Sequence, residues 1–225
     1  MSLIILDFDD TLIDNTKLDL DSFHYIIKKN HLKKIKDDKI IRWRKNGMLA
    51  RNILRILIIK NNNTLENSVK DRLDYLRKGG KGISSIILRE GVRETLKKLK
   101  AMNYFIVVVT SRDDKSIVKK TLQFLKISHL IDKIYSNSDF QKTKKRNPRD
   151  YVELKTYLYQ LSLTDNHSKI GEKKVLVVGN LKADIIAAKN LKLDSVAIKG
   201  SYRFDSGITK MTSVVCDFNS ILNYL

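Results

Sequence analysis

Cysteine, proline and tryptophan occur once each in the 225 residues. A lone thiol, Cys216, excludes an internal disulfide and suits a reducing compartment, where it is expected as a small buried hydrophobe. Long apolar runs are missing too. Nothing approaches the length of a membrane span, and the apolar run at residues 3–6 is too short for a secretory leader. The expectation is a soluble cytoplasmic protein without a membrane partner. Acidic residues are in deficit: 44 Lys and Arg face 25 Asp and Glu, for a formal net charge of +19 and a pI ≈ 9.9. Such an excess attracts nucleic acid and other polyanions. The lysines are nevertheless spread along the chain, with no basic tail and no nucleic-acid-binding motif. A field attractive to small anionic substrates is the inference that composition carries. There is no internal repeat and no low-complexity tail, and the length admits one sizeable core plus a small second domain.

What is present begins at residues 3–11. Leu3 to Leu6 form a short unbroken apolar run, the pattern of a strand buried on both faces. Asp7 and Asp9 follow, two residues apart. With strand geometry maintained, side chains at i and i+2 point the same way, so both carboxylates project into one space. They repel there unless a cation such as Mg²⁺ neutralises them. An Asp-rich turn after a strand is the alternative.

Residues 15–88 read as helical. Phe23, Ile26 and Ile27 mark a first helix; Ile40, Ile41 and Trp43 a second. Ile53, Leu54, Leu57 and Ile58 mark a third, and Leu65, Val69, Leu73 and Leu76 a fourth. Asn61-Asn62-Asn63 reads as a loop, Thr64 as the start of the fourth helix, and Gly79-Gly80-Lys81-Gly82 as the returning hinge. From Leu88 onward strands and helices alternate. Strands are expected at Tyr104–Val109, Ile134–Tyr135, Val175–Val178, Ser195–Ile198 and Val214–Val215. Helices are expected over Gly91–Met102, along Ile117, Val118, Thr121, Leu122 and Leu125, along Val152, Leu154, Leu158 and Leu161, and through Ala187, Ala188 and Leu191. Asp139–Pro148 reads as a polar loop and Phe218–Leu225 as a terminal helix. This alternation predicts an α/β fold with a parallel sheet and ligands outside the carboxyl ends of its strands.

Asp7-Phe8-Asp9-Asp10-Thr11-Leu12 resembles the first motif of the haloacid dehalogenase superfamily of phosphotransferases, and three later segments resemble its remaining motifs in order. Thr110, with Ser111, follows a buried strand and resembles the second, although a helix cap or turn is the alternative at Thr110. Lys145-Arg146-Asn147-Pro148-Arg149-Asp150-Tyr151 is similar to the Lys-x-x-Pro-x-x-Tyr loop of the third. Its spacing to the single proline picks Lys145 from among Lys142, Lys144 and Arg146. Gly179-Asn180-Leu181-Lys182-Ala183-Asp184 resembles the fourth, Gly-Asp-x-x-x-Asp, with Asn180 in place of the first acid.

The resemblance implies a doubly wound, Rossmann-like core from residues 1–14 and 89–225 and an all-helical cap at 15–88. It implies a Mg²⁺-dependent phosphatase acting on a small phosphorylated metabolite. Asp7 would attack phosphorus, and Asp9 would act as acid and then as base. Thr110, Ser111 and Lys145 would hold the phosphoryl group, and Asp7, the Asp9 carbonyl, Asn180 and Asp184 the metal. Arg44-Lys45-Asn46-Gly47 lies where related caps carry a substrate-specificity loop. Arg44, Lys45 and Gly47 are thus candidates to meet the substrate, with decoration of a helix end as an equal alternative. Three rivals stay open: a binding protein that kept the fold and lost turnover, motivated by Asn180; a phosphatase acting on nucleotides or nucleic-acid ends, motivated by the charge; and a phosphomutase. Asp7→Asn is expected to abolish phosphatase activity and leave the fold intact. A folded variant with near-native turnover would refute the chemistry.

Overall fold

The computed structural model describes residues 1–45, 48, 50–58, 62–77, 83–170, 174–200 and 206–225. In chain order β1 (Ser2–Asp7) and β2 (Ile13–Asp14) precede four helices, α1 (Thr16–Lys29), α2 (Asp37–Lys45), α3 (Ala50–Leu57) and α4 (Asn62–Arg77). Then come β3 (Ile87–Leu88), α5 (Val92–Ala101), β4 (Tyr104–Val109), α6 (Lys115–Phe124), β5 (Lys133–Tyr135) and α7 (Asn137–Lys144). The chain continues through α8 (Tyr151–Ile170), β6 (Val175–Gly179), α9 (Lys182–Asn190), β7 (Asp194–Ile198) and β8 (Ser213–Val215).

Six strands form a parallel sheet in the order β5-β4-β1-β6-β7-β8. The apolar run of β1 lies at its centre, so Leu3, Ile4, Ile5 and Leu6 have no exposed surface. Alternation along the strands sends side chains to two faces. Ile4 and Leu6, with Ile106 and Val108, pack under Leu96 and Leu99 of α5 and Val118 and Leu122 of α6. Leu3 and Ile5, with Val107 and Val177, pack against Leu154 and Leu158 of α8 and Ala187 and Ala188 of α9. Helices on both faces make the sheet a buried layer, as the alternating sequence pattern requires. Register then aligns the strand ends. Asp7 pairs with Val109 and Leu6 with Val178, so Asp7, Thr110 and Asn180 leave the sheet at one edge.

Helices α1 to α4 are inserted between β2 and β3, which pair antiparallel (Ile13 with Leu88, Asp14 with Ile87) and bring the two ends of the insert together. The insert has its own apolar cluster, built on Phe23, Ile26, Ile40, Ile53, Leu54 and Leu65. Leu73 of α4 is exposed. A polar knot sits inside: Asp19 of α1 accepts from Arg44 Nε at 3.1 Å and from Arg72 of α4. All three side chains are buried, and the Arg72 guanidinium lies 4.6 Å from the Phe23 ring centroid.

Several expectations are corrected. Asn137–Lys144, which overlaps the expected polar loop Asp139–Pro148, is helix α7. Asp139 turns back to accept from the Ser136 N–H at 2.8 Å, and the fully buried Phe140 anchors the helix. One apolar residue is too little for a periodic signal. Helix α4 begins at Asn62, before the expected Thr64. Asn219–Tyr224 forms 3₁₀ turns rather than an α-helix. Cys216 is exposed, because β8 ends one residue before it. The glycine-rich hinge at 79–82 lies outside the described residues.

Asp19→Ala would leave two buried guanidiniums without their shared carboxylate. It is expected to lower stability by about 3–5 kcal/mol, measured by chemical denaturation. A loss below ~1 kcal/mol, the scale of an exposed pair, would mean that Asp19 does not hold the insert together.

Candidate active site

β1 ends at Asp7, and the chain turns at once. Asp10 adopts φ 61, its N–H donates to Ile13 O at 2.9 Å, and Leu12 N donates back to Phe8 O at 3.0 Å. Strand geometry therefore does not extend to Asp9, and the two carboxylates take different surroundings. Asp7 is 6 % exposed. Its Oδ2 accepts from Thr11 Oγ1 at 3.0 Å, and its Oδ1 accepts from Lys155 Nζ. Asp9 accepts a two-pronged bond from Arg112 (Nε to Oδ2 3.0 Å, a terminal nitrogen to Oδ1 2.7 Å) and a third from Asn15 Nδ2 at 2.8 Å. The Arg112 guanidinium also lies 5.1 Å from the Phe8 ring centroid.

Lys155 is 2 % exposed and bridges two carboxylates, reaching Asp7 and, at 2.9 Å, Asp184 Oδ1. Tyr159, one turn along α8, donates to the same Asp184 oxygen at 3.0 Å, while Oδ2 accepts from Leu181 N at 3.0 Å. Burial pushes the Asp7 carboxyl up to about 7 despite Lys155, and the charges of Asp184 and Asp9 push the same way. Burial opposes the Lys155 ammonium, but Asp184 and Asp7 outweigh it and hold its pKa above the ordinary value. Tyr159 is held well above the ordinary phenol value, first by burial and then by Asp184 and Asp7, so it serves as a neutral donor. Gly179 makes the close approach of α9 feasible: a Cβ there would lie 2.4 Å from Asp184 Cβ.

Asn180 follows β6 and is 1 % exposed. With one orientation of its amide, the oxygen faces Asp7 Oδ2 and the Asp9 carbonyl oxygen, both at 3.3 Å; with the other, the nitrogen donates to both. The first orientation gathers three oxygens. A small hard cation with bonds of about 2.0–2.1 Å sets neighbouring ligand oxygens about 3 Å apart, so this donor set fits a divalent ion. It offers one charged side chain only. Among the described residues, no group of three or more His, Cys, Asp or Glu side chains could hold a metal.

The sequence-predicted residues thus divide. Asp7, Thr110, Asn180 and Asp184 meet at the carboxyl edge of the sheet, with Asp9 beside them. Thr110 is fully buried and its Oγ1 accepts from Arg112 N at 3.2 Å; Ser111 follows, half-buried. Asp184 has both oxygens engaged and positions Lys155 and the start of α9. Lys145 is exposed at the left-handed end of α7 (φ 55), and the lysine on Asp7 is Lys155. Arg44, expected at the substrate, is buried on Asp19 and donates to Met48 O at 3.0 Å. Apolar packing around an arginine demands such a carboxylate. Lys45 ends α2, and Gly47 lies outside the described residues. No periodic signal in the sequence marks Lys155, which the structure buries on one face of α8 with Tyr159, Ser162 and Asn166. Arg112, Thr11 and Asn15 had none beyond proximity to a motif.

Residues 4–198 match the family model of haloacid dehalogenase-like hydrolases. A phosphoglycolate phosphatase of Psychrobacter arcticus is 25% identical over 233 residues, covering 99% of this chain and 95% of the relative. A provisionally assigned pyrophosphatase of Caldanaerobacter subterraneus is 27% identical, covering 89% of this chain and 83% of its own length. Among solved structures, a Clostridium difficile protein described provisionally as a phosphatase superposes with a TM-score of 0.80 at 21% identity, covering 99% of this chain and 97% of that one. At that identity the likeness concerns the fold.

Lys155→Ala removes the cation from Asp7 and is expected to cut turnover of a phosphomonoester by about 10²–10³-fold, whereas Lys145→Ala stays within about twofold of native, as an exposed charge should. Parallel assays of the two purified variants decide it. The reverse ranking would place Lys145 at the reaction centre.

Proposed function

Because this chain belongs to the haloacid dehalogenase-like hydrolases, we propose that it is a phosphatase that hydrolyses small phosphomonoesters through a covalent Asp7 phosphoenzyme. The observation that carries this reading is Asp7 itself: a buried carboxylate at the end of the central strand, held by Lys155 and Thr11. These contacts aim its oxygen at one place and keep it from bulk water. Asp7 attacks phosphorus, the bond from phosphorus to the leaving oxygen breaks, and Asp9, in its protonated form, gives that oxygen its proton and is left as a carboxylate. Asp9 then takes a proton from water as the water attacks the phosphoenzyme, releasing phosphate and restoring Asp7. Arg112 and Asn15 keep the Asp9 carboxylate beside the reacting centre. Lys155 and Thr110 face charge that develops on the phosphoryl oxygens.

Mg²⁺ fits the oxygen set of Asp7, Asn180 and the Asp9 carbonyl, and when bound it would neutralise phosphoryl charge. The pairing of β2 with β3 supports reading residues 15–88 as a helical cap on a core of 1–14 and 89–225, the cap closing over the substrate. No helix among the described residues is long and apolar enough to cross a membrane; in this proposal the substrate is small and is met in the cytoplasm.

Phosphate release from a panel including 2-phosphoglycolate, sugar phosphates and pyrophosphate, with Mg²⁺, tests the proposal. Turnover of at least one monoester, lost in Asp7→Asn, is the expected result. Absence of turnover across the panel would favour the binding-protein reading that Asn180 motivates. Asp9→Asn is expected to slow an alkyl phosphate by about 10²–10⁴-fold, with a smaller loss on p-nitrophenyl phosphate, whose leaving group needs little protonation. Equal losses on both would remove Asp9 from the acid role.

A further inference from the structure

One buried amide at the floor of this site is satisfied by its surroundings in only one of its two orientations. Asn180 is buried, and its amide reaches Asp7 Oδ2 and the Asp9 carbonyl, both at 3.3 Å. With nitrogen toward them, the amide satisfies two acceptors and the pocket is complete without an ion. With oxygen toward them, three acceptor oxygens converge, an arrangement that a cation stabilises. An aspartate at this position could adopt only the second state.

A cation entering the protein alone meets three costs. It displaces both amide hydrogen bonds, and it gains one anionic ligand, since the Asn180 and Asp9 oxygens are neutral. It also shares Asp7 with the Lys155 ammonium, which is already bonded to that carboxylate. A phosphoryl dianion beside Asp7 reverses the balance, because its oxygens supply the negative charge that the side chain at 180 lacks. We propose that Asn180 makes divalent cation and phosphoryl group bind as a pair, the amide turning from nitrogen-in to oxygen-in as the two arrive together. The proposal rests on the phosphatase reading above. Coupling of this kind is reciprocal: the anion raises affinity for the cation by the factor by which the cation raises affinity for the anion.

Calorimetric titration of metal-stripped native protein with Mg²⁺, with and without saturating inorganic phosphate, measures that factor. Phosphate is expected to tighten Mg²⁺ binding at least about tenfold in the native protein. In Asn180→Asp, Mg²⁺ should bind without phosphate and the factor should fall below about threefold, because the missing charge is restored. Metal-stripped Asn180→Asp should melt below metal-stripped native protein, and excess Mg²⁺ should remove the difference. Should that variant fail to fold, the side-chain NH₂ resonances of Asn180 in native protein serve instead. They are expected to be protected from exchange in stripped protein and to shift only when Mg²⁺ and phosphate are both present. Equal Mg²⁺ affinity with and without phosphate, the same coupling in both proteins, or a shift with Mg²⁺ alone would overturn the proposal. Turnover without coupling removes this inference and leaves the phosphatase reading; coupling without turnover does the reverse.

Discussion

An ammonium enclosed by two carboxylates fixes where the elements of the core meet. Taking Lys155, Asp7 and Asp184 out of water costs several kcal/mol per ion, and their attraction offsets this only if every partner is in place. Asp7 comes from β1, Lys155 from α8 and Asp184 from α9, so the three elements have one relative position that leaves no charge unmatched. Tyr159, Leu181 N and Thr11 complete the hydrogen bonding, and Gly179 removes the side chain that would hold α9 away. The apolar layers set the distance between helices and sheet. The ion cluster chooses the register.

A second chain of contacts ties the insert to this centre. Asn15, at the start of α1, donates to Asp9, and Asp19 one turn later gathers Arg44 and Arg72 from α2 and α4. Helix α1 thus touches the reaction centre at one end and carries the insert's buried charge at the next turn. Movement of the insert would reach Asp9 through Asn15, which in the proposed mechanism links substrate enclosure to proton transfer.

The formal charge of +19 plays a smaller part than its size suggests. Cations at the site are matched locally, Lys155 by two carboxylates and Arg112 by one. Other cationic side chains, among them Lys33, Lys34, Lys36 and Arg42, are exposed, and salt screens such charge within about 8–10 Å. That field draws anions toward the surface without selecting among them. Selection belongs to the few oriented groups at the carboxyl edge of the sheet.

Composition and periodicity determined much of this protein. The apolar run of β1, the alternation after Leu88 and the helical block between them specify a buried parallel sheet with an insert, because side-chain period and hydrophobicity act locally. Positions after strands likewise placed Asp7, Thr110, Asn180 and Asp184 at one edge. Tertiary structure alone decided the cations. Lys145 and Lys155 are chemically identical, and ten residues separate them. The first ends a short helix in solvent; the second projects from the buried face of α8 onto Asp7. Arg44 was drawn to Asp19 in the same way, and Arg112 to Asp9. Long charged side chains carry no periodic signal, since their stems can lie on apolar surface or in water. Which carboxylate receives each head depends on distances between residues far apart in the chain, and folding alone sets those.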